Sequence, residues 1–388
     1  MALPNVNISV NRSGLGLVEP TEDGVMGLVM FVATKPLGAG DQDIRWTRVY
    51  NSYEDASNGD FGYNAATLAQ IEAFYKEAGS GAKLWVRYVH LFDEIAHDGR
   101  LSNILDDVAA LIEEARGEIS CIGIHRGDLV PTSTLVDNIH EDLLNLVGGA
   151  QSVAEYAEQE IMPVSIVVDA LKTGHPFSVP DMHEHNYHKV SIVVASENGI
   201  PAVGRVLGRL AAIPVQRKIS RVKDGALRNV SEAGYCSDVP ISGIANHFSG
   251  SYHDKGFIVF RTFSKKAGYF FSGDPTATAS TDDLYTISRN RVIDKVIKMA
   301  YKTYLEELDD DVELTDAGEL PAGVVAYLKE EIEHQVSSNM KGEISNFEAI
   351  IDPKQNILSG LPLDIELSII PKGYFSAINV KPDIYMLL

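Results

Sequence analysis

Four candidate metal ligands stand within eight residues, Asp181, His183, His185 and His188, in the run DMHEHNYH. Imidazole and carboxylate groups suit borderline metals such as zinc, so the run is the sharpest apparent centre of chemistry in the chain. At face value it would make the protein a cytoplasmic α/β metalloenzyme. Its spacing, however, is not H-E-x-x-H, and it follows Pro176 and Pro180, as an exposed loop would. No metal is assigned to it.

The remaining motifs are thinner still. Gly204-Arg205-Val206-Leu207-Gly208 is a glycine pair one helical turn apart, which predicts close helix packing and not a dinucleotide site. No G-x-x-x-x-G-K-[ST] or G-x-S-x-G run occurs. Cys121 and Cys236 match neither metal nor redox spacing, which predicts reduced, buried thiols. The acidic run Glu306-Glu307-Leu308-Asp309-Asp310-Asp311 lacks the alternating ligands and central glycine of a calcium loop and reads as solvated. No catalytic residue and no cofactor follow from these motifs.

The elements around them fall into two parts. From about residue 27 to 215 strands and helices alternate, which predicts an α/β layer with a largely parallel sheet. The strands are Gly27–Ala33, Arg45–Tyr50, Leu84–Val89, Ile119–Ile124, Val164–Val168 and Tyr187–Ala195. Between them lie helices at Thr67–Ala78, Leu101–Ala115, Leu143–Glu158, interrupted or begun near Gly148-Gly149, and Pro201–Ala212. Gly256–Thr262 and Gly268–Ser272 read as paired strands. A first C-terminal helix spans Ser288–Leu308, with Ile293, Ile297, Ala300, Tyr301, Tyr304, Leu305 and Leu308 on one face meant for a core. Arg291, Lys295, Lys298 and Lys302 form a separate basic stripe. Pro321 opens a second helix, Ile344–Ile351 is a strand, and Leu363, Ile365, Leu367 and Ile369 alternate up to Pro371.

Length and composition bound the function. With 388 residues and 45% hydrophobic content, two domains are expected. No apolar run reaches the ~20 residues of a membrane span, and Met1–Val10 lacks signal-peptide features, so a cytoplasmic site of synthesis is expected. Net charge of -21 argues against nucleic acid and against anionic membrane surfaces. Val6, Ile8 and Val10 alternate with polar residues, a terminal strand in search of a sheet edge. The last 17 residues, Lys372–Leu388, are a poor helix but an acceptable added strand, through Ile378, Val380 and Ile384.

Taken in order, R-V-I-D-K at Arg291–Lys295, an acidic loop with a glycine, a second helix, G-E-I-S at Gly342–Ser345, D-P-x-x-N-x-L from Asp352 and I-x-P-x-G-Y into the last arm resemble the C-terminal domain of contractile tail sheath proteins. About a quarter of the chain carries the resemblance. It implies an outer α/β domain (25–269), an inner α+β domain (270–371) joined by the N-terminal arm (1–24), and a C-terminal strand-exchange arm (372–388). It further implies a structural subunit without enzymatic activity, a helical homo-polymer around an inner tail tube protein, with baseplate and tail terminator proteins as further partners. Such a subunit resides in a virion tail or injection-system particle assembled in the bacterial cytoplasm, with no direct membrane insertion. Val6, Ile8, Val10, Ile378, Val380 and Ile384 would be inter-subunit strand residues, and the Arg291, Lys295, Lys298, Lys302 stripe would face the tube.

Overall fold

A computed structural model describes residues 22–32, 45–59, 65–90, 100–127, 135–237, 243–308, 310–316, 318–355 and 362–380. Seven strands form the main sheet: β1 Met26–Val32, β2 Arg45–Tyr50, β3 Leu84–His90, β4 Cys121–His125, β5 Ser165–Asp169, β6 Val190–Val193 and β7 Phe257–Ile258. Their spatial order is β7-β6-β5-β4-β1-β3-β2, parallel throughout except for the antiparallel edge strand β2. β1, β4, β5 and β6 are buried along their whole length, as strands covered on both faces must be.

The period of two in β1 divides the core between those faces. Met26, Leu28, Met30 and Val32 meet helices α1 (Ala65–Ala78) and α4 (Val203–Ala211), while Val29 and Phe31 meet α2 (Arg100–Ala115) and α3 (Leu143–Gln159). The Gly204/Gly208 pair lets α4 lie directly on α1: a Cβ would stand 2.1 Å from Gln70 O at the first and 2.3 Å from Phe74 O at the second. α3 runs unbroken through Gly148-Gly149, where Gly149 lies against Leu105 of α2. The single strand expected over Tyr187–Ala195 divides after Val193, and Ala195–Glu197 joins a separate antiparallel sheet with Ile200–Pro201 and Ala233–Tyr235. Helix α5 (Asn246–His253) precedes β7, and a hairpin of β8 (Phe260–Phe263) and β9 (Lys266–Phe271) follows it.

Helix α6 spans Ile287–Tyr304 and passes into a short 3-10 turn at Leu305–Glu307. Packing divides the chain into two compact units at Lys298/Met299, within α6. This lies later than the 269/270 division expected from sequence, because Phe271 and Ile287 belong to the core of the α/β unit.

The second unit holds α7 (Ala322–Asn339) and the antiparallel pair β10 (Ile344–Ile350) and β11 (Glu366–Pro371). One buried cluster there joins Leu320, Leu328 and Ile351, with Leu363 and Ile365 packed against it, and Ile332, Val336, Met340 and Ala349 are buried as well. That packing takes Leu363 and Ile365 out of the strand expected to begin there.

Candidate functional site

The histidine run is structural. Asp181 caps a 3-10 turn at Met182–Glu184 by accepting the His183 N–H at 2.9 Å, and His183 Nδ1 lies 2.7 Å from Thr278 O. The His185 ring stacks on Tyr187 at 5.4 Å between centroids, and His188 Nδ1 is 3.3 Å from Gln151 Nε2. Among the described residues no group of three or more His, Cys, Asp or Glu could hold a metal ion. The metalloenzyme alternative therefore has no support from the geometry. Both cysteines are free and buried, and burial pushes the Cys121 thiol up to about 12, far from a usable thiolate.

Helix α6 follows the expected faces only in part: Ile293, Ile297, Ala300 and Tyr304 are half-buried, but most of the basic row is engaged as well. Arg291 is 2% exposed and donates from Nη2 to Asp23 O at 3.0 Å, and Lys295 Nζ reaches Asp23 Oδ2 at 2.6 Å. Lys298 Nζ donates to Gly117 O at 2.7 Å and Ile119 O at 3.2 Å. Lys302 alone of the basic row is exposed. Asp294, buried on the same helix, holds Lys189 at 2.6 Å. Burial opposes the charged lysine, but Asp294 and Glu158 outweigh it and raise the Lys189 pKa. Long basic side chains can bury their stems where carbonyls and a carboxylate receive the head group. The apolar stripe expected in the core is instead left open at Tyr301, Leu305 and Leu308, which are 48%, 46% and 69% exposed.

Among the described residues β10 pairs only with β11, and a two-stranded pair is marginal alone in water. A groove of about 750 Å³ runs between α7 and β10, bordered by Tyr327, Glu330, His334, Met340, Asn346 and Phe347. Consecutive strand residues point to opposite faces, so a groove bordered by both Asn346 and Phe347 follows the strand edge. Residues 372–380 join no strand among the described residues, and Phe375, Ile378 and Val380 are 94%, 76% and 79% exposed. Val6, Ile8, Val10 and Ile384 lie outside the described residues.

Two buried charge clusters escaped the sequence reading. Asp169, at the end of β5, accepts from Arg126 N–H at 2.7 Å and Arg126 Nε at 2.8 Å, with His125 Nδ1 at 3.2 Å. Burial alone would raise the Asp169 pKa, but Arg126 and these hydrogen bonds bring it below the ordinary value. Arg205, between the two helix-packing glycines, is fully buried against Glu77 at 2.9 Å and Glu197 at 2.8 Å. Two arginines, Arg205 and Arg209, inside an otherwise apolar helix were the available signal.

Two family models account for nearly the whole chain: DUF2586, N-terminal domain, over residues 3–274, and DUF2586, C-terminal domain, over residues 283–387. The chain belongs to the DUF2586 family. Solved structures carry the same fold from end to end. The helical sheath of the anti-feeding prophage in its contracted state is similar over 100% of this chain and 98% of its own, with TM-score 0.61 and 14% identity. The contracted PVC sheath complex of an extracellular contractile injection system is similar over 98% of this chain and 97% of its own, with TM-score 0.62 and 11% identity. The sheath tail protein from Desulfitobacterium hafniense is similar over 95% of this chain and 100% of its own, with TM-score 0.54 and 12% identity. This DUF2586 protein thus has the mixed α/β fold of contractile tail sheath proteins. Comparison with curated proteins finds no match. Among the described residues no helix is long and apolar enough to cross a membrane.

Proposed function

We propose that this DUF2586 protein is the structural subunit of a contractile tail sheath, polymerising helically around an inner tube and shortening to drive it through a target envelope. The observation that carries this reading is the end-to-end likeness to sheath chains. The β10–β11 pair, which has no third strand among the described residues, and the exposed residues Phe375, Ile378 and Val380 suit it, since a strand added by another copy would extend the pair. The groove beside β10 gives such a strand a seat, and head-to-tail contacts that do not close a ring generate a helix. Val6, Ile8, Val10 and Ile384 belong to the same exchange. Tube contact is proposed for Lys302 and the exposed stripe of α6, because Arg291, Lys295 and Lys298 are engaged within their own unit. One such contact is weak, but many on one cylinder add up and release together. Baseplate and tail terminator proteins would cap the polymer, in a particle assembled in the cytoplasm.

The test is electron microscopy of the full-length chain beside a chain lacking Lys372–Leu388. Hollow cylinders from the first and none from the second are expected. Monomers from both under assembly conditions would contradict the reading.

A further inference from the structure

On a chain of net charge -21, residues 216–228 (QRKISRVKDGALR) carry five basic side chains and one acidic. They form a loop with a 3-10 turn at Val222–Asp224 that lies on the β8–β9 hairpin. The Leu227 N–H donates to Tyr269 O at 2.8 Å, and a Cβ on Gly268 would stand 2.6 Å from that of Ala226. Lys265 and Lys266, at the hairpin turn, are exposed and extend the same surface.

This surface is tied to buried groups of the α/β unit. Buried Arg205 donates to Arg228 O at 2.6 Å and Asn229 O at 3.1 Å, and Glu77 accepts the Arg228 N–H at 2.7 Å. It is also incompletely neutralised. Asp224 is shared between Arg217 and Arg221, whereas Lys223, Arg228, Lys265 and Lys266 form no ion pair among the described residues.

A complementary segment exists in the same sequence. Glu306 to Glu319 holds eight acidic residues and no basic one. Glu306, Asp310, Asp311, Glu313 and Asp316 are exposed, and Leu305, Leu308 and Val312 are 46%, 69% and 38% exposed among them. Acidic side chains there offer the charge complement of the platform, with exposed apolar residues between them.

We propose that the basic platform formed by residues 216–228 and the β8–β9 turn receives the acidic segment 306–319 of a second copy. This contact rests on reading the protein as a polymer subunit, and it is separate from strand exchange. Strand addition works through main-chain hydrogen bonds, whereas the platform works through side-chain charge and is sensitive to salt. Opposite charges on facing surfaces also fix the register in which copies meet.

The first test is a titration of the full-length chain with a labelled peptide of residues 304–320. Saturable binding is expected at low salt, weakened about tenfold or more by Arg221→Glu, Lys223→Glu and Lys265→Glu together. Unchanged binding by that variant would overturn the proposal, as would equal binding of a scrambled peptide or of single-stranded DNA, which marks a general polyanion surface.

The second test mixes two altered chains, one with the platform reversed in charge and one carrying Glu306→Lys, Asp310→Lys and Glu313→Lys. Each alone should assemble poorly, and an equal mixture should recover assembly because each supplies the other's complement. Unimpaired assembly of either alone, or no recovery on mixing, contradicts a contact between copies. If the unaltered chain forms no polymer at all, the sheath reading falls, and the titration still decides this contact.

Discussion

Replacing Arg205 by methionine tests how far the α/β unit depends on its buried charges. The guanidinium is fully buried and meets Glu77 at 2.9 Å, Glu197 at 2.8 Å and the carbonyls of Arg228 and Asn229. Methionine fills much of the volume but leaves Glu77, itself 0% exposed at the side chain, with Arg209 at 3.5 Å as its remaining ionic partner. Breaking a buried pair from one side costs about 3–5 kcal/mol, of which the stranded carboxylate is the main part. At roughly 2–4 °C per kcal/mol for a unit of this size, the melting temperature should fall by about 6–20 °C. Urea unfolding followed by circular dichroism measures the loss. Adding Glu77→Gln and Glu197→Gln to Arg205→Met should recover part of it, since both stranded carboxylates become neutral while an amide oxygen at position 77 can still accept from the Arg228 N–H and from Arg209. A loss below about 1 kcal/mol for the single change, the level of an exposed pair, would refute the argument that desolvated charge dominates here.

Three further outcomes are expected. Gly204→Ala places a methyl 2.1 Å from Gln70 O, so α4 and α1 must separate, at about 1–3 kcal/mol in urea unfolding. His253 has its pKa lowered from 6.5 by burial first and by Lys218 and Arg261 beyond it, against the pull of Asp254 and Asp274. The unfolded chain therefore takes up that proton first as pH falls. The stability it contributes is present above pH 6.5 and is lost as pH drops toward the folded pKa, and His253→Asn should make the urea midpoint fall less steeply with acid. Lys295→Met removes the contact to Asp23 at 2.6 Å, and hydrogen exchange at residues 22–25 should speed up while β4 and β5 keep their protection.

Much of the α/β unit was legible because its strands are buried on both faces, which forces apolar runs such as Met26–Val32. The glycine pair was legible too, since close helix contact leaves no room for a Cβ. Helix α6 was misread because periodicity reports an apolar stripe without saying what covers it. Here the basic face found Asp23 and backbone carbonyls within its own unit, and Tyr301, Leu305 and Leu308 were left outside. Leu363 and Ile365 alternate like strand residues, yet they pack on Leu328 and Ile351, a long-range choice no local pattern encodes. The histidine run misleads for a related reason. Ligand-capable residues close in sequence spend their ring nitrogens on Thr278 and Gln151, partners distant in the chain.

In the proposed polymer, copies of this chain join by completing one another's sheets. A helical reconstruction of the assembled protein at side-chain resolution tests it most directly. At least one further strand, donated by another copy, should be hydrogen-bonded along Ile344–Ile350 or Glu366–Pro371 of every subunit. A polymer in which those two strands keep bare edges while Phe375–Val380 folds back on its own chain would contradict it.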